Sequence, residues 1–540
     1  MSPKFLHREH ILDAQKRLLV DVMNPRQKVT FRHLCLIWLF SVSIFWGWWI
    51  QPQHMVSISG MIINSVILAW STLMPGYYFY FVSRMKRPSP TLEIPQGLRV
   101  AMVVTKVPSE PFSVIQRTLE AMIAQEYPHD NWLADEDPSD ETLDWCRSNN
   151  VYVSSRKGIS EYHRNSWPRR TKTKEGNLAY FYDFYGYDSY DIVAQLDADH
   201  IPDSNYLNEI LRPFSDTTVG YVSAPSICDL NCKTSWAARA RLYAESTMHG
   251  SLQAGYNDGW APLCIGSHYA VRTRALKEIG GLGPELAEDH STTFLMNAHG
   301  WKGVHALDAI AHGDGPATFA DCMVQEFQWS RSLANILFTV TPKYWSKLTM
   351  HLKFQFIFSQ LWYPLFGIAM LVSYLLPIYA ILLKTPWMNI SYLSFLAFST
   401  PVVIITVLIV MWIRRLQVLR PVDAKIISWE IVLFQLTRWP WVLWGTISAV
   451  VDSITRKNFE FKVTPKGTSA MNSLPIKTLA PYVVLSVLAA VVAILQTNPG
   501  NAEGYYYFLI IASVTYATTL MTIILRNMYE TQRKSFSHTS

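Results

Sequence analysis

Charge is scarce in this chain: Asp, Glu, Lys and Arg make up 16% of 540 residues, against 50% hydrophobic residues. So little charge, with a net of only +6, gives no nucleic-acid surface, and so much apolar material excludes an ordinary soluble globule. Cysteine is sparse too, at 35, 146, 228, 232, 264 and 322, which argues against a disulfide framework. Cys228 and Cys232 stand four apart with no second pair nearby in sequence, so no zinc site is expected. Internal repeats and low-complexity tracts are absent. A small-residue cleavage site is missing from the first apolar run, which also begins too far in for a removable signal peptide and is expected to stay as an anchor. Two short connections, QPQH at 51–54 and NPGNAEG at 498–504, contain no Lys or Arg.

What is present is apolar length. A crossing of the hydrocarbon layer needs about 20 mostly apolar residues, and the runs near 34–50, 56–82, 357–383, 391–413, 478–496 and 505–525 qualify. A further run, 426–451, is interrupted by Glu430, Gln435, Arg438 and Pro440 and reads as a helix lying in the membrane interface. Cationic residues crowd the tail before the first span (Arg26, Lys28, Arg32) and return after the second (Arg84, Lys86, Arg87), which puts both termini and the polar middle of the chain in the cytosol of a multi-pass plasma (inner) membrane protein. The expected organisation is a cytosolic tail over 1–33, two spans over 34–83, a cytosolic domain over 90–340, an interfacial segment with spans three and four over 341–413, an interfacial helix and loop over 414–477, spans five and six over 478–525, and a tail over 526–540 with no appended regulatory domain.

Within the polar region, GLRVAMVVTKVPSE reads as a strand ending in a loop, and FSVIQRTLEAMIAQ has apolar residues at helical spacing. Strand and helix signals go on alternating through DIVAQLDADH and NYLNEILRPF, the pattern of a mainly parallel sheet with helices on both faces. Ligands of such sheets sit outside the carboxyl ends of the strands, where acids cluster: Asp135, Glu136 and Asp137 after one strand, Asp197 and Asp199 after another. By spacing alone, two aspartates at i and i+2 fit a solvated turn as well as a hard divalent cation.

LADED (133–137), KEGN (174–177), DADH (197–200), CIGSHYAVR (264–272), AEDH (287–290), AHGDGPATFAD (311–321), QEFQW (325–329) and FKVTPKG (461–467) occur in that order. Together they resemble the family 2 glycosyltransferases, in particular the membrane-embedded processive synthases of the cellulose synthase and hyaluronan synthase type. The resemblance implies an α/β GT-A-like domain, mainly parallel, inserted in a helical region of about six spans plus interfacial helices. It implies that Asp135 or Asp137 accepts a hydrogen bond from uracil, Glu136 remaining open as a third choice. Lys174 is expected on the diphosphate, Asp197 and Asp199 on the nucleotide and on Mg2+ or Mn2+, and Asp289 as general base on the acceptor hydroxyl, with Ala287 replacing the usual Thr. Gly266, Ser267, Glu288 and Trp329 are expected to hold the acceptor, the indole as a stacking platform, and Gln325 to help bind the donor. FKVTPKG resembles the gating loop of cellulose synthases, with Thr464 and Lys466 reaching the diphosphate.

QEFQW departs from the usual QxxRW, since Gln328 stands where an arginine is expected. Arg331 is the expected substitute, a guanidinium able to pair with phosphate oxygens. The resemblance thus implies an inverting, processive β-glycosyltransferase that polymerises a UDP-sugar, with UDP-glucose into a β-glucan favoured. Its partners are the growing polysaccharide, membrane lipid and possible accessory export subunits. The alternatives are single-sugar transfer to a lipid acceptor, a hyaluronan- or chitin-type synthase using a UDP-N-acetylhexosamine, and a catalytically silent channel or assembly subunit.

Overall fold

The computed structural model describes residues 18–108, 110–171, 173–455, 474–496 and 500–539. Two long apolar helices come first, α1 (Pro25–Trp49) and α2 (Ile58–Val82). The polar region follows with strands β1 (Val100–Lys106), β2 (Asp130–Asp135), β3 (Val151–Ser154), β4 (Ile192–Asp197), β5 (Val219–Ser223), β6 (His268–Arg272) and β7 (Lys302–His305). Between and after them run α3 (Phe112–Ile123), α4 (Asp140–Ser148), α5 (Lys174–Phe181), α6 (Trp236–Thr247), α7 (Glu288–Ala298) and α8 (Phe319–Thr339). The chain then returns to apolar helices α9 (Met350–Leu383) and α10 (Tyr392–Arg414), passes through α11 (Trp429–Thr455), and ends with α12 (Ile476–Leu495) and α13 (Glu503–Thr539).

One sheet of order β7-β5-β6-β4-β1-β2-β3 organises the polar domain. β4, β1, β2 and β3 run parallel, while β6 runs antiparallel to both its neighbours. All seven residues of β1 are buried, as a central strand covered on both faces by helices requires, which explains its unbroken VAMVVTK run. On α3, Ile115, Leu119 and Met122 recur at helical spacing and pack beneath Met102 and Val104; burying each of the three stabilises the fold by roughly 1.5–3 kcal/mol. The other face is closed by Leu178, Phe181 and Phe294 against Ala101 and Val103.

Register decides where the site lies. Lys106 pairs with Asp135, and Thr105 pairs with Asp197, so β1, β2 and β4 end together. β6 arrives antiparallel with His268 opposite Leu196, which brings the preceding Gly266 and Ser267 to the same edge.

Among the described residues, six helices are long and apolar enough to cross a membrane, α1, α2, α9, α10, α12 and α13, matching the six expected runs. α1 and α9 start earlier than those runs and α13 continues further, while the other bounds agree within two residues. α1 begins at Pro25 because Asn24 and Gln27 form a capping box there, each side chain bonding the other's backbone N–H at 2.9 Å. α11, expected to lie in the interface, is a 27-residue helix whose charges face protein. Glu430 meets Arg239 at 3.3 Å, and Arg438 meets Glu326 at 2.6 Å. Gly445 of α11 sits so close to Ser330 and the Phe327 carbonyl of α8 that a Cβ would clash.

Candidate active site

Each residue of KEGN holds part of the strand-end edge. Lys174 opens α5, capped by Thr173, whose hydroxyl accepts the Gly176 N–H at 3.2 Å. Its ammonium donates to Asp197 Oδ1 at 2.8 Å and to the Gly266 carbonyl at 2.5 Å. Glu175 accepts the backbone N–H groups of Arg169 and Arg170 at 2.7 and 3.1 Å. Gly176 has the Arg156 guanidinium and the Arg170 carbonyl against its Cα, leaving no room for a Cβ. Asn177 donates to the Lys106 carbonyl at 3.0 Å, tying α5 to the end of β1.

Each acid of the first cluster has a cationic neighbour, while Asp135 Oδ2 and Glu136 Oε2 are buried without a hydrogen bond among the described residues. Asp135 is buried beside Lys106 at 3.0 Å, and burial raises its pKa against the pull of that lysine. Glu136 meets Arg156 at 3.3 Å and His163 at 3.4 Å, while the exposed Asp137 pairs with Lys157 at 2.7 Å.

Beyond β4, one ligand atom each from Asp197, Asp199 and His200 lie within 4.8 Å of one another. His200 Nδ1 stands 3.4 Å from Asp199 Oδ1. Burial disfavours the imidazolium, yet hydrogen bonds to Asp199 and Cys228 outweigh it and carry the pKa up to about 10, so the ring serves Asp199 as a donor. A cleft of about 370 Å3 opens beside Asp199, walled by Pro111, Ser113, Arg117, Ile201 and Asp314.

Asp289 reaches the same edge from the first turn of α7. Its Oδ1 accepts the His290 N–H at 2.7 Å, and its Oδ2 lies 3.2 Å from where a Cβ on Gly266 would stand. Gly266 therefore has Lys174 on its carbonyl and Asp289 against its Cα. Burial raises the Asp289 pKa; backbone hydrogen bonds from His290 and Gly266 and the charge of Lys174 oppose the rise, and Asp197 adds to it. Ala287, at the N-cap, gives no side-chain bond, and its N–H goes instead to Ser332 Oγ on α8 at 2.9 Å. His290 and Thr341 both contact Gln360 of α9, at 3.3 and 2.8 Å, which pins this helix to a candidate span.

Glu288 is buried, its Oε1 has no hydrogen-bond partner among the described residues, and burial together with Asp289 pushes its pKa to about 8. A carboxyl raised in the folded state penalises folding once it must ionise, so stability falls as pH climbs from the usual carboxylate range through about 8. Melting temperatures followed from about pH 5 to about pH 8.5 should decline in the native protein and stay flatter in Glu288→Gln.

On α8, Gln325 and Trp329 share a face one turn apart. Gln328 is buried. Arg331 points elsewhere, roughly 120° round the helix from Gln325, and pairs with Asp452 of α11. A cation among the described residues on the Gln325–Trp329 face is Arg241 of α6, which donates to Gln325 Oε1 at 2.6 Å and lays its guanidinium 3.9 Å from the Trp329 ring centre. Sequence reasoning missed Arg241, which has no motif around it. Thr464 and Lys466 lie outside the described residues.

Residues 95–332 match the family model described as glycosyltransferase like family 2, and residues 260–420 match that of cellulose synthase. The chain carries a family 2 glycosyltransferase domain of the cellulose synthase type. The chain is 24% identical over 317 residues to the cellulose synthase catalytic subunit [UDP-forming] of Xanthomonas axonopodis pv. citri (strain 306), covering 55% of this chain and 41% of that protein. It is 23% identical over 283 residues to the cellulose synthase 1 catalytic subunit [UDP-forming] of Komagataeibacter xylinus, covering 51% of this chain and 36% of that one. The aligned region thus spans about two fifths of these relatives. A solved mannosyltransferase from Pyrobaculum calidifontis, in complex with GDP-Man and Mn2+, aligns over 87% of this chain and 99% of its own at 14% identity and a TM-score of 0.40.

Proposed function

We propose that the protein is a processive, inverting β-glycosyltransferase that polymerises UDP-glucose into a β-glucan and passes the product through its own membrane helices. The observation that carries this reading is the meeting of Lys174, Asp197 and Asp289 at Gly266. A donor-side cation and an acceptor-side base then flank one small residue that lets a sugar approach closely.

Asp289 takes the proton from the acceptor hydroxyl as its oxygen bonds to the anomeric carbon. The bond from that carbon to the diphosphate breaks on the opposite side, so configuration inverts and the linkage is β. The carboxylate's raised pKa makes it a better proton acceptor, and its proton passes to solvent after UDP leaves. Lys174 supplies a fixed positive charge to the departing diphosphate. The paired carboxylates of Asp197 and Asp199 form a hard oxygen set that fits Mg2+ or Mn2+, with His200 orienting Asp199; the ion, when bound, neutralises charge on the leaving group. Trp329 is the stacking platform for the end of the chain, Asp135 or Asp137 meets the uracil, and Thr464 and Lys466 bind the donor diphosphate. The cationic residues flanking the spans support a cytosolic side for the domain. The UDP-forming relatives support the donor class.

Purified full-length protein incubated with radiolabelled UDP-glucose and Mn2+ should make long product that a β-glucan-specific hydrolase digests. Label in lipid alone would replace this reading with single-sugar transfer, a requirement for two donors with an alternating polymer, and no turnover with any UDP-sugar with a silent subunit.

A further inference from the structure

We propose that Arg241 is a positioning residue for the acceptor platform, clamping the indole of Trp329 and the amide of Gln325 from the neighbouring helix in place of the arginine that the motif puts at 328. The inference rests on the reading of Trp329 as the surface on which the glycan end stacks.

Positions 325, 328 and 329 lie on one face of α8, so an arginine at 328 would act on that face from within the helix. Gln328 offers no planar cation. Arg241 reaches the face from α6 instead, and its guanidinium is used both in its plane and across it. In its plane, Nη1 donates to Gln325 Oε1 at 2.6 Å and Nε to both oxygens of Glu245 at 3.1 and 3.2 Å. Across its plane, the flat cation covers the indole with its carbon 3.9 Å from the ring centre. Only a guanidinium does both at once, since an ammonium has no plane to stack. Glu245 also faces His249 Nε2 at 3.4 Å, and burial is what opposes its ionisation while Arg241 and His249 hold its pKa down to about 2. The Arg241–Glu245 pair is therefore locked and internally neutral. That suits a clamp more than a phosphate ligand, and separates its task from that of Lys174. Trp329 is half-buried, so part of its surface stays accessible beside the face that Arg241 covers, and a pyranose ring would stack on that part.

The test uses full-length protein in detergent, with cellohexaose as the acceptor probe, UDP as the donor probe, and product length from UDP-glucose. Arg241→Ala should bind cellohexaose about tenfold more weakly and release shorter chains, with UDP affinity held within about twofold. Arg241→Lys should behave like the alanine variant. Adding Gln328→Arg to Arg241→Ala should restore cellohexaose binding and chain length, which a purely structural defect would not allow. Should the alanine variant fail to fold, the lysine variant with and without Gln328→Arg gives the same comparison. Wild-type cellohexaose affinity and product length in a folded Arg241 variant overturn the inference alone, as does a loss of UDP affinity equal to the loss of acceptor affinity. If the native protein makes glucan yet binds no cellohexaose, the platform reading of Trp329 falls and the clamp with it; if it makes no glucan at all, the proposed function falls first.

Discussion

Asp289→Asn leaves a folded protein that binds UDP with near-native affinity but transfers sugar roughly 10^2- to 10^4-fold more slowly, the range that a positioned general base contributes. The substitution keeps shape and keeps an Oδ1 to accept the His290 N–H that now bonds Asp289 at 2.7 Å. What it removes is the ability to take a proton. Lys174 and Asp197 stay joined at 2.8 Å, so the donor side is undisturbed. The pH profile makes the assignment sharper. Burial has raised this carboxyl, so activity of the native enzyme should fall, as pH drops, at a point above the usual carboxylate range near ~4. In Asp289→Asn that acidic limb disappears and the residual rate is flat across it. Full turnover in the variant, or an unshifted limb, would sink the base assignment.

Asp289 is also held from the side of the candidate spans. His290, next in sequence, contacts Gln360 of α9, and Ala287 is tied to Ser332 of α8. α8 in turn packs on α11 so closely that Gly445 admits no side chain. Asp289, Trp329 on α8 and a candidate span thus belong to one packed unit, the arrangement that the proposed coupling of bond formation to chain movement requires.

How far the sequence foretold this depends on how local each signal is. DIVAQLDADH declares its strand by an unbroken β-branched and apolar run and its site by two acids after it, and the sheet's parallel core does the rest through register. KEGN is equally legible because Lys174 and Asn177 act from one helix start on the ends of two neighbouring strands. The six long apolar helices follow from length and hydropathy alone. Arg241 could not be found that way. It sits 84 residues from Gln325 in the chain, and nothing local distinguishes it from Arg239, whose partner is Glu430. Arg331 was drawn to the missing motif position by proximity in sequence, yet helical rotation turns it towards Asp452. Proximity along a helix and proximity on its face are different things.

Asp199→Ala should remove the divalent ion's contribution entirely. Native protein should bind UDP much more tightly with Mn2+ than in EDTA, and the variant should bind it at the EDTA level under both conditions. Transfer should fall by at least ~10^3-fold, the loss expected when several kcal/mol of charge stabilisation on the leaving diphosphate disappears. Asp197→Ala is the informative contrast, because Asp197 is also the partner of Lys174. Removing it frees the ammonium to approach phosphate, so part of the donor affinity lost with the ion should return, and the remaining affinity should fall with added salt as an exposed charge contact does. His200→Gln should fall between native and Asp199→Ala, since it removes the donor that orients Asp199 and leaves both carboxylates in place. Equal UDP affinity with and without Mn2+ in the native protein would show that these carboxylates do not hold an ion, and would leave Lys174 as the principal charge on the diphosphate.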